Sequence, residues 1–162
     1  MIYSKRLNTN IPIQVYTNTQ YIQGFGKFIH YQVKDKCIPV GYVDLKDTPK
    51  GAYVLFIKNQ NPDLYSGFGL IADQIEVEHC LNKGIRQPEI MSESAFSSHI
   101  QHYKRGKRFV DKWVNKLVKV LVRQNEIIDT SFIGAVKMFM PKSMVKKYIG
   151  IIKKDPLLSG IK

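Results

Sequence analysis

Between residues 12 and 58 the apolar positions fall in short runs divided by turn-forming residues, the spacing of strands rather than helices. Residues 12–17, Pro-Ile-Gln-Val-Tyr-Thr, suit a short strand flanked by Asn and Thr. Residues 26–34 are rich in aromatic and β-branched types, and Asp35-Lys36-Cys37 makes a turn. Residues 38–45 predict the next strand, with Pro39 confined to its start or to an edge. Asp47-Thr48-Pro49-Lys50-Gly51 carries turn chemistry. Residues 52–58 are the most continuously apolar and predict a central strand. Successive strands joined by short turns imply an antiparallel meander.

The period then changes. A polar loop over 59–66 leads to Gly67-Phe68-Gly69 and a predicted helix over 69–83, closed by Lys83-Gly84. Leu70, Val77 and Leu81 share one side of that helix, and Ile71 and Ile75 lie on another. A helix apolar on two sides packs between other elements. Residues 89–92 predict a short strand and 95–105 a helix ending at Gly106. Val110, Trp113, Val114, Leu117, Val118 and Leu121 recur at helical spacing over 110–123, with Lys112, Lys116, Lys119 and Arg123 elsewhere on the turn. Residues 131–140 predict a strand with Phe132, Val136, Met138 and Met140 on one face. Pro141 starts a last helix carrying Val145, Tyr148, Ile149 and Ile152. Leaving such side chains in water costs about 1.5–3 kcal/mol each, so this last segment is expected to join the sheet rather than hang free. The expectation is one α+β domain with a mixed sheet over residues 1–162.

Composition narrows the class. The 18 aromatic side chains are too many for a disordered chain, and no apolar run nears the roughly 20 residues of a membrane span. Residues 1–10 contain no apolar signal core. The two cysteines, Cys37 and Cys80, exclude a disulfide framework, and reduced thiols in a cytoplasmic setting are expected. His30, His79, His99 and His102 show no metal-ligand spacing with them, so no metal is expected. Charge is the unusual feature. Residues 1–100 hold 10 basic and 9 acidic side chains, net +1, whereas residues 101–162 hold 15 and 4, net +11. Such asymmetry suits an anionic partner: nucleic acid, an acidic membrane surface, a phosphorylated cofactor or an acidic protein. A solvated lysine-rich surface is the plainer alternative.

The turn before the first long helix is the most informative local feature. A glycine-flanked helix start exposes backbone N–H groups at the positive end of the helix dipole, a place for phosphate. Gly67-x-Gly69-x-x-Ala72 also matches the dinucleotide fingerprint, although that fingerprint follows directly on a parallel strand and here a loop intervenes. A tight turn with no ligand is the third reading.

The order of these features resembles the acyl-CoA N-acyltransferase (GNAT) superfamily. The family motif Arg/Gln-x-x-Gly-x-Gly/Ala is similar to Leu64-Tyr65-Ser66-Gly67-Phe68-Gly69, with Leu64 at the position of Arg or Gln. A later family motif, ending Tyr-x-x-x-Gly-Phe, is similar to Tyr103-Lys104-Arg105-Gly106-Lys107-Arg108-Phe109, with Phe96 and His99 at its earlier Asn and Ala positions. The resemblance covers residues 26–109. The family places two helices after its first strand. Residues 17–25 are too few for them, so the acceptor side is reduced or built from the C-terminal region.

The resemblance implies a GNAT-like sheet and transfer of an acetyl group from acetyl-CoA to an amine of unspecified identity. It places Phe56, Ile57 and Lys58 at a strand splay holding the acyl-pantetheine arm, and Tyr65, Ser66, Gly67, Phe68, Gly69 and Leu70 around the pyrophosphate. Lys58, Lys104 and Arg105 are candidate partners for the 3′-phosphate, which the sequence does not place. Tyr103 matches the tyrosine that protonates the leaving thiolate. For the base, Glu93 just past the short strand, Asp44 at the end of another strand and a chain of waters all stay open. A second function remains open from the charge alone. The basic C-terminal third, with Tyr103, Phe109 and Trp113 interspersed, suits nucleic acid or an acidic partner.

Overall fold

The computed structural model describes residues 1–94, 98–124 and 128–158. Strict alternation builds β4 (Gly26–Asp35), where Ile29, Tyr31 and Val33 are buried and the residues between them are not. It lies between β3 (Gln14–Ile22) and β5 (Ile38–Thr48), and β6 (Gly51–Asn59) follows on β5, all antiparallel. The first strand of this meander runs later and longer than the 12–17 expected. It carries the chain straight into a tight turn, so no helix stands between it and β4.

The pattern of β6 has a local cause. Asp44 faces Phe56 and Leu45 faces Val54, so Leu55 is an extra, bulged residue. A bulge reverses which face each later side chain takes. Ala52 and Val54 are buried before it; after it Phe56 is 65% exposed while Ile57 packs against the core.

After β6, a short strand β7 (Tyr65–Ser66) pairs with β1 (Ile2–Ser4), which also pairs with β2 (Thr9–Ile11). This small sheet is invisible to periodicity, because its strands are two or three residues long. Helix α1 (Phe68–Asn82) comes next, then β8 (Glu89–Ser94), which lies parallel to β6. Helix α2 (His99–Arg105) ends at Gly106, and β9 (Arg108–Phe109) and α3 (Lys112–Gln124) follow. The predicted start of α2, including Phe96, lies outside the described residues. A 3-10 turn over Ser131–Ile133 precedes β10 (Val136–Phe139) and α4 (Lys142–Ile152).

The large sheet has the order β3-β4-β5-β6-β8-β10-β9, with β6–β8 its parallel pair. It is a mixed, mostly antiparallel α+β sheet flanked by helices, with an added C-terminal helix, the GNAT-like topology that the resemblance implies. β10 pairs with β8 and β9, and α4 packs on α1, so the last segment is built into the sheet and its cover. Two corrections apply there. Phe132 sits in the 3-10 turn, 67% exposed, because the strand begins only at Val136. Trp113 is 65% exposed, since α3 is covered on one face only, through Val114 and Val118.

The main core joins the meander, α1 and α4; a smaller one gathers Phe109, Val114, Val118 and Met138. Helix α1 is buried on nearly all sides, as its two apolar sides imply, although Leu70 is half exposed. It nevertheless carries Asp73, Glu76, Glu78 and His79 into the interior. Among the described residues no helix is long and apolar enough to cross a membrane.

Candidate functional site

β6 and β8 stay paired only from Gly51↔Glu89 to Val54↔Ser92. Beyond the bulge at Leu55, β6 follows β5 to Asn59, while β8 follows β10 through Glu93 and Ser94. The two strands part, and no strand among the described residues pairs with the edge of β6 that they leave open. A cleft of about 960 Å³ occupies the gap. Tyr53, Leu55 and Phe56 of β6, Ser92 and Glu93 of β8, the turn Gly67–Gly69, and Gln101, His102 and Arg105 of α2 line it.

Gly67 caps α1 with φ +84°, a left-handed conformation that glycine adopts without strain. No side chain caps the helix, and its first turn holds no acid. The Leu70 N–H donates to the Gly67 carbonyl at 3.0 Å, whereas the Phe68 and Gly69 N–H groups have no carbonyl one turn back. Gly69 has a reason other than the one the sequence suggested. A β-carbon there would meet the Arg105 guanidinium, 2.6 Å from Nη1, rather than open space for phosphate.

Arg105 is fixed from below. Its Nε donates to Asp73 Oδ2 at 3.1 Å and its Nη2 to Asp73 Oδ1 at 3.4 Å. Asp73 also accepts from Lys107 Nζ at 3.1 Å and from the Tyr148 hydroxyl at 3.3 Å. Lys107, 1% exposed, donates to both oxygens of Glu76, at 3.3 and 3.1 Å. Two carboxylates and two cations thus share one buried cluster. Burial alone would strip Lys107 of its proton, but the Glu76 and Asp73 charges outweigh it and raise its pKa. Burial lifts Glu76 to about 7, against the pull of Lys107.

Arg105 Nη2 also donates to His102 Nδ1 at 3.1 Å. Arginine has no acceptor, so Nδ1 must be the lone-pair nitrogen, and the neutral ring carries its proton on Nε2. Burial, then the charges of Arg105 and Lys107, push His102 down to about 3. The cleft thus presents a fixed cation, a neutral imidazole and the start of a helix along one wall. Opposite stands Glu93, exposed and facing Lys137 across β8–β10. The Tyr53 phenol is raised above its ordinary value by burial and by the Glu93 charge.

Of the residues singled out from the sequence, Phe56, Ile57, Gly67, Phe68, Gly69 and Glu93 come together on this cleft, and so does Arg105. Lys58, Tyr65, Ser66, Leu70 and Tyr103 are not among its lining residues. Tyr65 is buried and its hydroxyl donates to Asp35 Oδ2 at 2.9 Å. Ser66 pairs with Tyr3 of β1. Lys58 is exposed on β6. The half-buried Tyr103 packs against the smaller core with the Arg108 guanidinium 4.0 Å over its ring. Asp44 is buried on β5 and bound to His30 Nδ1 at 2.6 Å. Tyr53, Ser92, Gln101 and His102 were not anticipated; none stands in a motif, and strand divergence is what brings them together.

His99, His79 and Cys80 are engaged away from the cleft. His99 is fully buried, with Thr130 Oγ1 and the Gly134 carbonyl at 2.8 and 2.7 Å. His79 Nε2 donates to Asp47 Oδ1 at 2.6 Å, and burial lowers its pKa, so it stays neutral and accepts from the Tyr31 hydroxyl. Burial pushes the Cys80 thiol up to about 12. Among the described residues no three His, Cys, Asp or Glu side chains are placed to hold a metal.

No protein-family model matches the chain, and no curated protein does. Among solved structures it is similar to a crystal structure of an acyl-CoA N-acyltransferase from Pseudomonas aeruginosa, at 13% identity and TM-score 0.44, over 74% of each chain. It is similar to the IAA acetyltransferase from Bacillus cereus, at 20% identity and TM-score 0.44, over 70% of this chain and 77% of that one. It is also similar to a protein described as a GNAT-family acetyltransferase from Bacteroides thetaiotaomicron, at 16% identity and TM-score 0.36, over 88% and 78% of the two chains.

Proposed function

We propose that the cleft binds a CoA thioester and that the protein transfers its acyl group, an acetyl group in the first instance, to an amine. The observation that carries this is the parting of β6 and β8 beside a glycine-led helix start crossed by Arg105. Each part suits a segment of such a substrate. The pantetheine arm carries amides, which match the backbone groups on the open edge of β6. The pyrophosphate is an anion, which suits the first N–H groups of α1 and the guanidinium beside them. Exposed Lys58 and Lys104 suit the remaining phosphate.

The chemistry needs a base, an acid and a polarised carbonyl. The amine nitrogen attacks the thioester carbon, the carbon–sulfur bond breaks, the nitrogen loses a proton and the thiolate gains one. Glu93 is the carboxylate on the cleft wall and takes the amine proton in this reading. Two phenols compete to protonate the thiolate. Tyr103 matches the family motif, whereas Tyr53 lines the cleft and is held protonated beside Glu93. The geometry favours Tyr53. The acceptor enters from the side left open where no helix follows β3.

Titration calorimetry with acetyl-CoA and with CoA tests the binding claim, paired with two substitutions of equal size. Gly67→Asn and Gly67→Asp bear the same backbone strain, but only the second puts a negative charge at the helix start. Binding that survives in the first and is lost in the second supports the reading. No heat at millimolar ligand in the unaltered protein overturns it. Product analysis with an amine panel tests the transfer itself.

A further inference from the structure

Helix α3 has a committed face and an uncommitted one. Val114 and Val118 are buried in the smaller core, with Val122 packed partly against it. Lys112, Lys116, Lys119 and Arg123 follow one another at i, i+4, i+7 and i+11, so they form a single stripe along the helix. All four are exposed, and none forms an ion pair among the described residues. The helix holds no acidic residue; Asp111 precedes it and accepts from the Trp113 and Val114 N–H groups at 2.8 and 3.2 Å. Beside the stripe stand Trp113, in the first turn and 65% exposed, and Val120, about two turns in and 50% exposed. An exposed indole outside both cores, set against a cationic row without ion pairs among the described residues, has the make-up of a stacking platform next to a phosphate track.

We propose that this face of α3 binds single-stranded nucleic acid, with the four basic side chains on successive phosphates and Trp113 stacked on a base. The charge asymmetry alone would equally suit an anionic membrane. The helix decides against it: an interfacial helix binds by its apolar face, and the apolar face of α3 is already spent on the protein's own core. Duplex is disfavoured because an indole stacks on bases that are unpaired. This surface is independent of the cleft and stands or falls without it.

Trp113 is the chain's one tryptophan, so its fluorescence reads the surface directly. With the full chain and a uridine oligomer of about 12 nucleotides, the emission is expected to be quenched on binding. Four phosphate contacts on a single strand give a slope of about −2.8 in log K against log salt, about a fifty-fold loss between about 50 and 200 mM. Lys116→Glu with Lys119→Glu should abolish binding without moving the melting temperature. Should that pair not fold, the neutral Lys116→Gln with Lys119→Gln should shrink the slope by about 1.4. Trp113→Ala, followed with a labelled oligomer, should weaken binding about ten-fold and leave the slope unchanged. No binding at about 50 mM salt overturns the proposal. So does binding that these variants leave unchanged, and so does a blue shift on anionic vesicles with no quenching by the oligomer, which would assign the face to a membrane surface.

Discussion

Arg105 lies on Gly69: a β-carbon at residue 69 would stand 2.6 Å from Nη1 and 2.9 Å from Cζ of that side chain. The guanidinium cannot slide away without leaving Asp73 and His102. Ordinarily Gly→Ala in a helix gains about 1 kcal/mol. Here Gly69→Ala should instead cost about 1–3 kcal/mol through overpacking. Urea unfolding of Gly69→Ala, Arg105→Ala and the pair gives the coupling. A Gly69→Ala protein as stable as its parent would mean that Arg105 moves freely.

Removing the buried ammonium should be severe. Lys107→Met takes from Glu76 the cation at 3.1 Å and leaves Asp73 with Arg105 alone, a loss of about 3–5 kcal/mol. The penalty should shrink in acid. Glu76 sits at about 7 in the folded protein against an ordinary 4.5, so between those values the fold holds a proton that the unfolded chain has released. Stability from this group therefore rises as pH falls through that window. Denaturation at about pH 8 and about pH 5.5 should show a smaller deficit at the lower value. An equal deficit at both would mean that Glu76 does not take up the proton.

His102 works in the opposite sense. Its folded pKa of about 3 lies below its ordinary 6.5, so the unfolded chain binds the proton first. The associated stability is complete above about 6.5 and declines as pH falls toward 3, by at most about 1.4 kcal/mol per unit. His102→Gln should flatten the acid limb of the stability curve relative to the parent. Parallel curves would show that the ring is not held neutral.

The two phenols separate in kinetics. Tyr53→Phe should lower acyl-transfer turnover about a hundred-fold, while Tyr103→Phe stays within about two-fold, since its ring can still sit beneath Arg108. The reverse outcome would give the acid role to Tyr103.

Much of this architecture was legible because periodicity reports which face is buried. Ile29, Tyr31 and Val33 announce β4, and Pro141 announces α4. The misses have specific causes. Continuous apolarity in 52–58 concealed the bulge at Leu55, since a run without alternation shows no change of face. Phe132 reads as a strand residue by type, yet the preceding 3-10 turn keeps it out of the sheet. The Gly-x-Gly pair was visible, but the cause of its second glycine lies 36 residues on, at Arg105, a distance at which sequence spacing says nothing of contact. One signal was available for the ion cluster. Asp73, Glu76 and Glu78 stand in a helix apolar on two sides, so some of them had to be buried and paired, and the run Arg105 to Arg108 was a dense supply of cations beyond the helix. Part of the C-terminal charge excess is therefore internal and faces no partner.

The acids of α1 also impose an order on biosynthesis. Glu76 meets Lys107 from 31 residues later, and Glu78 accepts the N–H groups of Leu157 and Leu158 from 79 and 80 residues later, at 2.9 and 2.7 Å. Translation at about 5–20 residues per second puts roughly 4–16 s between the appearance of Glu78 and of its partners. Throughout that interval the helix cannot seat itself without stranding a carboxylate in an apolar surrounding. The nascent meander must therefore wait with the face that α1 will cover still open to solvent, and closure falls to the arrival of Leu157 and Leu158.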